Sequence, residues 1–201
     1  MRTWENRNKA PQQPIPSTQL QGTIPRVAHL ISTAERPVLI AGHGVLNNPK
    51  APSLLSELSA LAHVPVATTF LGLGCFGETK AEALHMVGMH GAVYANYAVQ
   101  KADLILALGA RLDERSASDA ESFAPKAMEA ERSSRSGIIQ FDIEPENVNK
   151  VVQVTEAVLG DLSDKLPRLI SHLQRGTNTS HGSNKFKHGR GSIPSHPGHK
   201  T

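Results

Sequence analysis

Cysteine is nearly absent from this sequence of 201 residues, which contains only Cys75. A single cysteine excludes an intramolecular disulfide, and small secreted domains usually depend on several disulfides. The sequence therefore favours a reducing compartment. Because no basic residue stands beside Cys75 to stabilise a thiolate, a structural thiol is expected there rather than a nucleophile.

Long apolar runs are also missing. No segment approaches the ~20 apolar residues that a membrane-spanning helix needs. Residues 1–19 are polar, contain several prolines and lack the apolar core of a secretory signal. The sequence thus predicts a soluble protein with no membrane partner.

A strong charge of one sign is missing from most of the chain, although the formal net charge is +3. Five basic residues and no acidic residue lie between positions 175 and 201, so the remaining chain is slightly acidic. No nucleic-acid partner is therefore expected. The polar composition of residues 174–201 predicts a disordered basic tail. The predicted organisation is a linker over residues 1–19, one domain over residues 20–173 and this tail.

The middle of the chain alternates short apolar runs with amphipathic segments. The runs predict strands at Pro37–Ala41, Val64–Thr69, Leu104–Leu108, Ile138–Ile143 and Glu156–Leu159. The amphipathic segments predict helices at Lys50–Ala62, Ala92–Lys101, Glu146–Val152 and Leu162–Leu173, the last interrupted by Pro167. Strands that are apolar on both faces and separated by helices predict a doubly wound parallel α/β sheet. Such sheets bind ligands at the carboxyl ends of their strands.

Glycines occur in the loops after the first two predicted strands and again around Met89. Gly42 and Gly44 flank His43, and they allow either a close approach to a ligand or an ordinary strand-to-helix turn. After the second strand, Thr69 offers a hydroxyl group. Met89 lies between glycines and suits either packing against a flat ring or filling of the core.

The loop at residues 109–115 carries four charged residues after a strand that is apolar throughout. Arg111 and Arg115 are suited to a diphosphate, although a solvated run of charges is the alternative interpretation. Asp142 ends the next strand, where a carboxylate can accept hydrogen bonds from ribose hydroxyls. The histidines after residue 180 have no tight spacing on a defined element, so no metal site is predicted.

Four segments together closely resemble the central domain of acetolactate synthase, also called acetohydroxyacid synthase. They are residues 86–91 (Met-Val-Gly-Met-His-Gly), 95–104 (Ala-Asn-Tyr-Ala-Val-Gln-Lys-Ala-Asp-Leu), 109–115 (Gly-Ala-Arg-Leu-Asp-Glu-Arg) and 141–147 (Phe-Asp-Ile-Glu-Pro-Glu-Asn). The resemblance runs from about Arg36 to Asp161. It implies a six-stranded parallel, Rossmann-like fold that binds FAD, which has no redox role in the main reaction of that family. Matched position by position, the resemblance places FAD contacts at Gly42, His43, Gly44, Thr69, Phe70, Gly88, Met89, His90, Gly109, Ala110, Arg111, Asp113, Arg115, Asp142, Ile143, Asn147 and Asp161.

The resemblance also implies an activity for the complete enzyme. In the family, thiamine diphosphate and magnesium support the condensation of two 2-oxo acids on the route to isoleucine and valine. Eukaryotic members work in mitochondria or plastids, and bacterial members work in the cytoplasm. Because the family's central domain packs against neighbouring domains, self-association or binding to a full-length synthase is expected of this chain. A scaffolding or regulatory fragment and a remnant that binds nothing stay open as alternative functions.

Two departures from the family bear on function. Ser116-Ala117-Ser118 stands where Val-Thr-Gly is usual, and Leu71 replaces a polar residue. The family's thiamine-activating glutamate and its Gly-Asp-Gly…Asn magnesium motif lie in flanking domains. Gly160-Asp161 does not match that motif, because Leu162 replaces the second glycine.

We therefore expect the 201-residue chain alone to make no acetolactate from pyruvate, even with thiamine diphosphate, magnesium and FAD supplied. The physical reason is that neither the activating glutamate nor the metal–diphosphate motif occurs in the sequence. The measurement is a product assay on protein from a host without its own synthase. Turnover above the protein-free control would contradict this expectation.

Overall fold

The computed structural model describes residues 23–113, 122–133 and 136–179. Its strands are β1 (Pro37–Ala41), β2 (Val66–Thr68), β3 (Ala83–Met86), β4 (Leu104–Leu108), β5 (Ile138–Asp142) and β6 (Glu156–Leu159). Its α-helices are α1 (Thr23–Thr33), α2 (His43–Leu46), α3 (Ala51–Ala62), α4 (Val93–Lys101), α5 (Pro125–Arg132) and α6 (Leu162–Thr179). Two short 3-10 helices cover Phe70–Gly72 and Pro145–Asn147.

The strands form one six-stranded sheet in the order β3-β2-β1-β4-β5-β6, and every neighbouring pair is parallel. The chain moves outward from β1 to β2 and β3, then returns to place β4 on the other side of β1. The strand order therefore reverses between β1 and β4, and loops leaving the sheet there diverge. This confirms the predicted doubly wound parallel α/β fold.

Two hydrophobic layers cover the sheet. Alternate residues of β4 show the division, since Leu104, Leu106 and Leu108 pack in one layer while Ile105 and Ala107 pack in the other. The first layer lies under α1, α3 and α6, and the second lies under α4 and α5. All five residues of β4 are buried, which explains why this strand is apolar on both faces.

Strand β3 has no counterpart among the predicted strands. It lies at the sheet edge, where only one side is paired, and its four residues include polar His85. A register shift opposite Val66 and Ala67 interrupts its pairing, and His85 adopts a left-handed φ of 57°. An irregular edge strand needs little hydrophobic sequence, so its pattern gives a weak signal.

The helices differ from prediction in five places. Helices α1, α2 and α5 are additional. The helix predicted at Glu146–Val152 is instead one 3-10 turn at Pro145–Asn147. Helix α6 is not interrupted at Pro167 and ends at Thr179 rather than Leu173. Leu166, Leu169 and Leu173 of α6 are buried against α1 and α3, and this packing offsets the cost of a proline inside a helix.

Among the described residues, no helix combines the length and apolar character needed to cross a membrane. Burial raises the pKa of the Cys75 thiol to about 11, which keeps it protonated and matches the structural role expected for it.

The packing of α6 predicts the effect of removing one side chain from it. Leu166 is fully buried, so Leu166→Ala should lower the free energy of unfolding by about 2–5 kcal/mol. Ser171→Ala, at an exposed position of the same helix, should change it by about 0.5 kcal/mol or less. Urea unfolding followed by circular dichroism measures both. Equal effects of the two changes would mean that α6 does not pack on the sheet as described.

Candidate functional site

The six loops that follow the strands all lie at the carboxyl edge of the sheet, because every strand runs in the same direction. Every described site residue predicted from the sequence lies at this edge, either at the end of a strand or in the segment that follows it. Arg115 is outside the described residues. The candidate site is therefore this edge.

The loops after β1 and β4 are in backbone contact. The Gly42 N–H donates to the Leu108 carbonyl at 3.0 Å, and the Gly44 N–H donates to the Gly109 carbonyl at 3.0 Å. A Cβ atom on Gly42 would lie 2.3 Å from the Gly109 oxygen, and one on Gly44 would lie 2.7 Å from the Gly109 Cα. Both positions require glycine because the chain's own backbone approaches them. An ordinary turn is sufficient to explain these glycines, and their contact with FAD stays a prediction.

The loop after β2 is tied to β1 and leaves apolar side chains exposed. The Thr69 N–H donates to the Ala41 carbonyl at 2.9 Å, and a Cβ atom on Gly72 would lie 2.4 Å from that same oxygen. Phe70 is 69% exposed and Leu71 is 55% exposed. The exposed His43 ring reaches toward this loop, with its Nδ1 atom 3.4 Å from the Leu71 carbonyl oxygen.

The loop after β3 carries Met89 and His90 at an exposed tip. The Val87 N–H donates to the Thr68 carbonyl at 2.9 Å, which extends the sheet ladder beyond β3. The Asn96 side chain of α4 then bonds both backbone groups of Gly88. Met89 is 69% exposed, so it does not fill the core, and the ring-packing interpretation of this residue remains.

The loop after β4 alternates buried and exposed residues. Ala110 and Leu112 are buried, while Arg111 between them is exposed. Leu112 adopts a left-handed φ of 44°, a conformation unfavourable for leucine that its burial compensates. No ion pair or hydrogen bond joins the Arg111 guanidinium to another residue that the structure describes. Asp113 is half-buried.

The loop after β5 is organised by a buried carboxylate. Asp142 Oδ1 accepts hydrogen bonds from the Glu144 N–H at 2.9 Å and from Asn147 Nδ2 at 3.1 Å. Asp142 Oδ2 has one long contact, 3.4 Å from Gln140 Nε2. Asp142 thus uses one oxygen to shape its own loop and keeps accepting capacity on the other.

Two side chains at this edge have roles that the sequence interpretation did not assign. Gln140 is buried, and its Nε2 atom lies 3.3 Å from the Ala110 carbonyl and 3.4 Å from the Asn147 carbonyl, which links the β4 and β5 loops. Asn96 links the β3 loop to α4. A single glutamine in the otherwise apolar run at 138–141 was the available signal for Gln140. Asn96 stands within a matched motif but carried no chemical signal of its own.

Asp161 has a local structural role. Its Oδ1 accepts the Ser163 N–H at 2.7 Å at the start of α6, and Asn48 Nδ2 lies 3.3 Å away. The hydrogen bond from the Ser163 backbone is the main reason that the pKa of Asp161 lies below its ordinary value. Capping the helix accounts for this carboxylate without a ligand.

Metal ligands do not come together within residues 23–113, 122–133 and 136–179, where no group of three or more histidine, cysteine, aspartate or glutamate side chains could hold an ion. The residues at the edge instead offer exposed apolar groups, a guanidinium and a carboxylate oxygen. This set suits an organic anion with planar and sugar parts better than a metal.

The contact between the β1 and β4 loops predicts a steric effect. Gly42→Ala should lower the free energy of unfolding by about 2–3 kcal/mol, because the new methyl group meets backbone atoms that cannot rotate away. Gly77→Ala is the matched control, since its methyl group would meet only flexible Lys80 carbons at 3.3 Å. Thermal and urea unfolding measure both. If both variants are equally stable, the two loops are not in contact.

Comparison with known proteins identifies a family for the segment that contains the sheet. Residues 24–169 match the family model described as thiamine pyrophosphate enzyme, central domain. This segment covers all six strands and the first eight residues of α6.

Fungal and plant acetolactate synthases are similar to the chain. The mitochondrial catalytic subunit of Aspergillus candidus is 49% identical over 156 residues, which are 78% of this chain and 22% of that protein. The mitochondrial enzyme of Schizosaccharomyces pombe is 50% identical over 155 residues, covering 77% of this chain and 23% of that protein. A chloroplastic acetolactate synthase of Oryza sativa is 37% identical over 162 residues, covering 81% and 23%.

The chain therefore spans less than a quarter of the length of these relatives. The predicted resemblance to the central domain of acetolactate synthase is confirmed. With a doubly wound sheet, a family match over most of its length and close similarity to these synthases, the chain belongs to the family of thiamine pyrophosphate enzyme central domains.

Proposed function

We propose that this chain is the FAD-binding domain of an acetolactate-synthase-like protein. In this proposal, the nucleotide lies across the carboxyl edge of the sheet, and the chain binds and orients it without carrying out a reaction alone. The condensation of 2-oxo acids belongs to the complete enzyme, to which thiamine diphosphate and magnesium also belong.

The observation that carries this proposal is the environment of Arg111. Its guanidinium is exposed next to the point where the strand order reverses, and its neighbours Ala110 and Leu112 are buried and hold the loop. A ligand diphosphate can accept two hydrogen bonds from a planar guanidinium, and each good charge-assisted contact contributes about 1.5–3 kcal/mol. An arginine that other described residues leave unpaired is available for this role.

The β5 loop supplies groups suited to a sugar. Asp142 Oδ2 keeps capacity to accept a hydrogen bond from a ribose hydroxyl, while its Oδ1 is committed to Glu144 and Asn147. Ile143 follows directly and is 63% exposed, which provides an apolar surface beside the sugar position. These residues support placing the ribose of the ligand on this side of Arg111.

The β2 and β3 loops supply a surface suited to a flat ring. Phe70 and Met89 are each 69% exposed, so both present a large apolar side chain to solvent at this edge. The two loops are adjacent, because β2 pairs with β3 and the Val87 N–H reaches the Thr68 carbonyl. Extended FAD would therefore place its isoalloxazine ring here and its ribose at β5. Neighbouring strands are ~4.8 Å apart, so the edge is long enough for such a ligand.

The same residues fit FAD better than they fit thiamine diphosphate with magnesium. Magnesium with a diphosphate is usually held by one or two carboxylates together with phosphate oxygens. At this edge, Asp142 and Asp161 each already accept a backbone N–H of their own segment. By the family resemblance, FAD has no redox role in the main reaction, so the residues proposed here bind and orient it.

A second candidate function is docking on another polypeptide, such as a full-length synthase. It is favoured by Val93 and Tyr97 on one face of α4, which are 84% and 55% exposed. Binding of FAD and docking are compatible with each other. A remnant that binds nothing is the remaining alternative, and the next experiment separates it from the binding proposal.

We expect FAD and ADP to stabilise the chain, with Arg111 contributing strongly to both. A ligand at 100 times its dissociation constant stabilises a protein by about 2.7 kcal/mol. For a domain of this size, that is a rise in melting temperature of roughly 5–10 °C. Arg111→Ala should weaken both ligands about tenfold or more by removing a diphosphate contact. Thermal-shift titration and isothermal calorimetry measure the effect.

The matched control is Arg132→Ala, which removes an exposed arginine at the end of α5, before the amino end of β5. It should leave both affinities unchanged, and neither substitution should alter the unliganded melting temperature much. Absence of any shift with millimolar FAD or ADP would favour the remnant. A shift that Arg111→Ala does not reduce would place the ligand elsewhere.

A further inference from the structure

Asn96, in the first turn of α4, holds the loop after β3 with both ends of its side-chain amide. Its Oδ1 accepts the Gly88 N–H at 2.9 Å, and its Nδ2 donates to the Gly88 carbonyl at 2.9 Å. The two bonds satisfy both backbone groups of one residue, and the Asn96 side chain is half-buried. At neutral pH, where an ordinary carboxyl group is ionised, a primary amide is the side-chain group that presents an acceptor and a donor at this spacing.

The Gly88 carbonyl also accepts the Gly91 N–H at 2.9 Å, and further backbone contacts fix the two ends of the loop. Val87 is held by its N–H bond to the Thr68 carbonyl, and the Ala92 N–H donates to the Met86 carbonyl at 2.8 Å. A Cβ atom on Gly91 would lie 2.4 Å from that Met86 oxygen, so the chain turns back tightly at this point. Gly88 itself adopts a left-handed φ of 113°. The Gly88 N–H, in the middle of the loop, is held by the Asn96 side chain.

Met89 and His90 follow Gly88 directly and are exposed at the tip of this loop. We infer that Asn96 is a positioning residue, which fixes Gly88 so that Met89 is presented to the isoalloxazine ring of bound FAD. The inference rests on the proposed function, since that function supplies the ring. Asn96 acts through the loop and need not touch the ligand.

This role differs in position from that of Arg111. Asn96 supports the β3 loop, whereas Arg111 lies on the β4 loop, and β2 and β1 separate these two strands in the sheet. In the proposed arrangement, the isoalloxazine ring of FAD reaches the β3 loop. ADP has no isoalloxazine ring. Loss of the Asn96 bonds should therefore weaken FAD and leave ADP nearly unchanged, while loss of Arg111 weakens both.

The experiment compares Asn96→Ala with Gln100→Ala, one helical turn further along α4 at a half-buried position. The dissociation constants of FAD and ADP are measured by calorimetry, and exchange of backbone amide hydrogens is followed by NMR without ligand. For Asn96→Ala, we expect FAD to bind about tenfold more weakly, as loss of two hydrogen bonds implies, and ADP to stay within about twofold. Exchange of the Gly88 amide should accelerate about tenfold or more, while that of Val87 stays slow.

Asn96→Asp provides a second variant of nearly the same size. It keeps an acceptor for the Gly88 N–H but places an oxygen against the Gly88 carbonyl, so it should weaken FAD in the same direction and leave ADP unchanged. This variant decides the question if Asn96→Ala does not fold. Gln100→Ala should behave as the unmodified chain in every measurement.

Equal weakening of FAD and ADP would overturn the inference, because it would show general loss of structure. Unchanged FAD affinity in both Asn96 variants would overturn it as well. If the unmodified chain binds ADP but not FAD, the ring-presenting role fails while the diphosphate site stands. If it binds neither ligand, both the proposed function and the ring-presenting role fail. Exchange of the Gly88 amide hydrogen then decides whether Asn96 fixes the loop.

Discussion

The backbone contact between the loops after β1 and β4 is the constraint on which the candidate site depends. Gly42 and Gly109 approach so closely that a side-chain carbon on Gly42 would overlap the Gly109 carbonyl. The Gly109 N–H also donates to the Phe141 carbonyl of β5 at 2.9 Å, so the contact extends across three strands. Loops that would otherwise diverge where the strand order reverses are held together at their base. Arg111 has a defined position because its loop begins from this contact.

Backbone contacts and exposed side chains have different roles at the carboxyl edge of the sheet. Gly42, Gly44 and Asp161 have structural roles through hydrogen bonds and close contacts within the chain. Phe70, Met89, Arg111 and Ile143 are exposed on top of this framework. A framework held by its own hydrogen bonds can form without a ligand, and a preformed site loses less conformational entropy on binding. The proposed ligand contacts come mostly from the exposed set, so the positions matched to the family include both ligand-facing and structural residues.

Sequence patterns identified the elements whose residues are buried on both sides. Strand β4 is apolar throughout because helices cover both of its faces, and β1, β5 and β6 were also located from their apolar runs. Strand β6 also lies at an edge, so position alone does not explain why β3 was missed. Polar His85 interrupts the short apolar run of β3, and an irregular register interrupts its pairing. Helix α5 was missed because its buried face consists mainly of Ala127 and Ala130, which give little hydrophobic contrast. The end of α6 was misplaced because its packing against α1 and α3 outweighs Pro167.

The sequence by itself determined the fold class, the edge of the sheet that carries the site and the chemical types of group found there. These features depend on local composition, since buried strands must be apolar and loops that turn tightly must contain glycine. Only the tertiary structure decided which of those groups are available to a ligand. Met89 could have been core or surface, and Gly42 could have faced a ligand or the chain itself. Asn96 and Gln140 acquire their roles from residues 8 and 30 positions away. Exposure and hydrogen bonding of this kind are set by contacts between segments distant in sequence, and no local pattern encodes them.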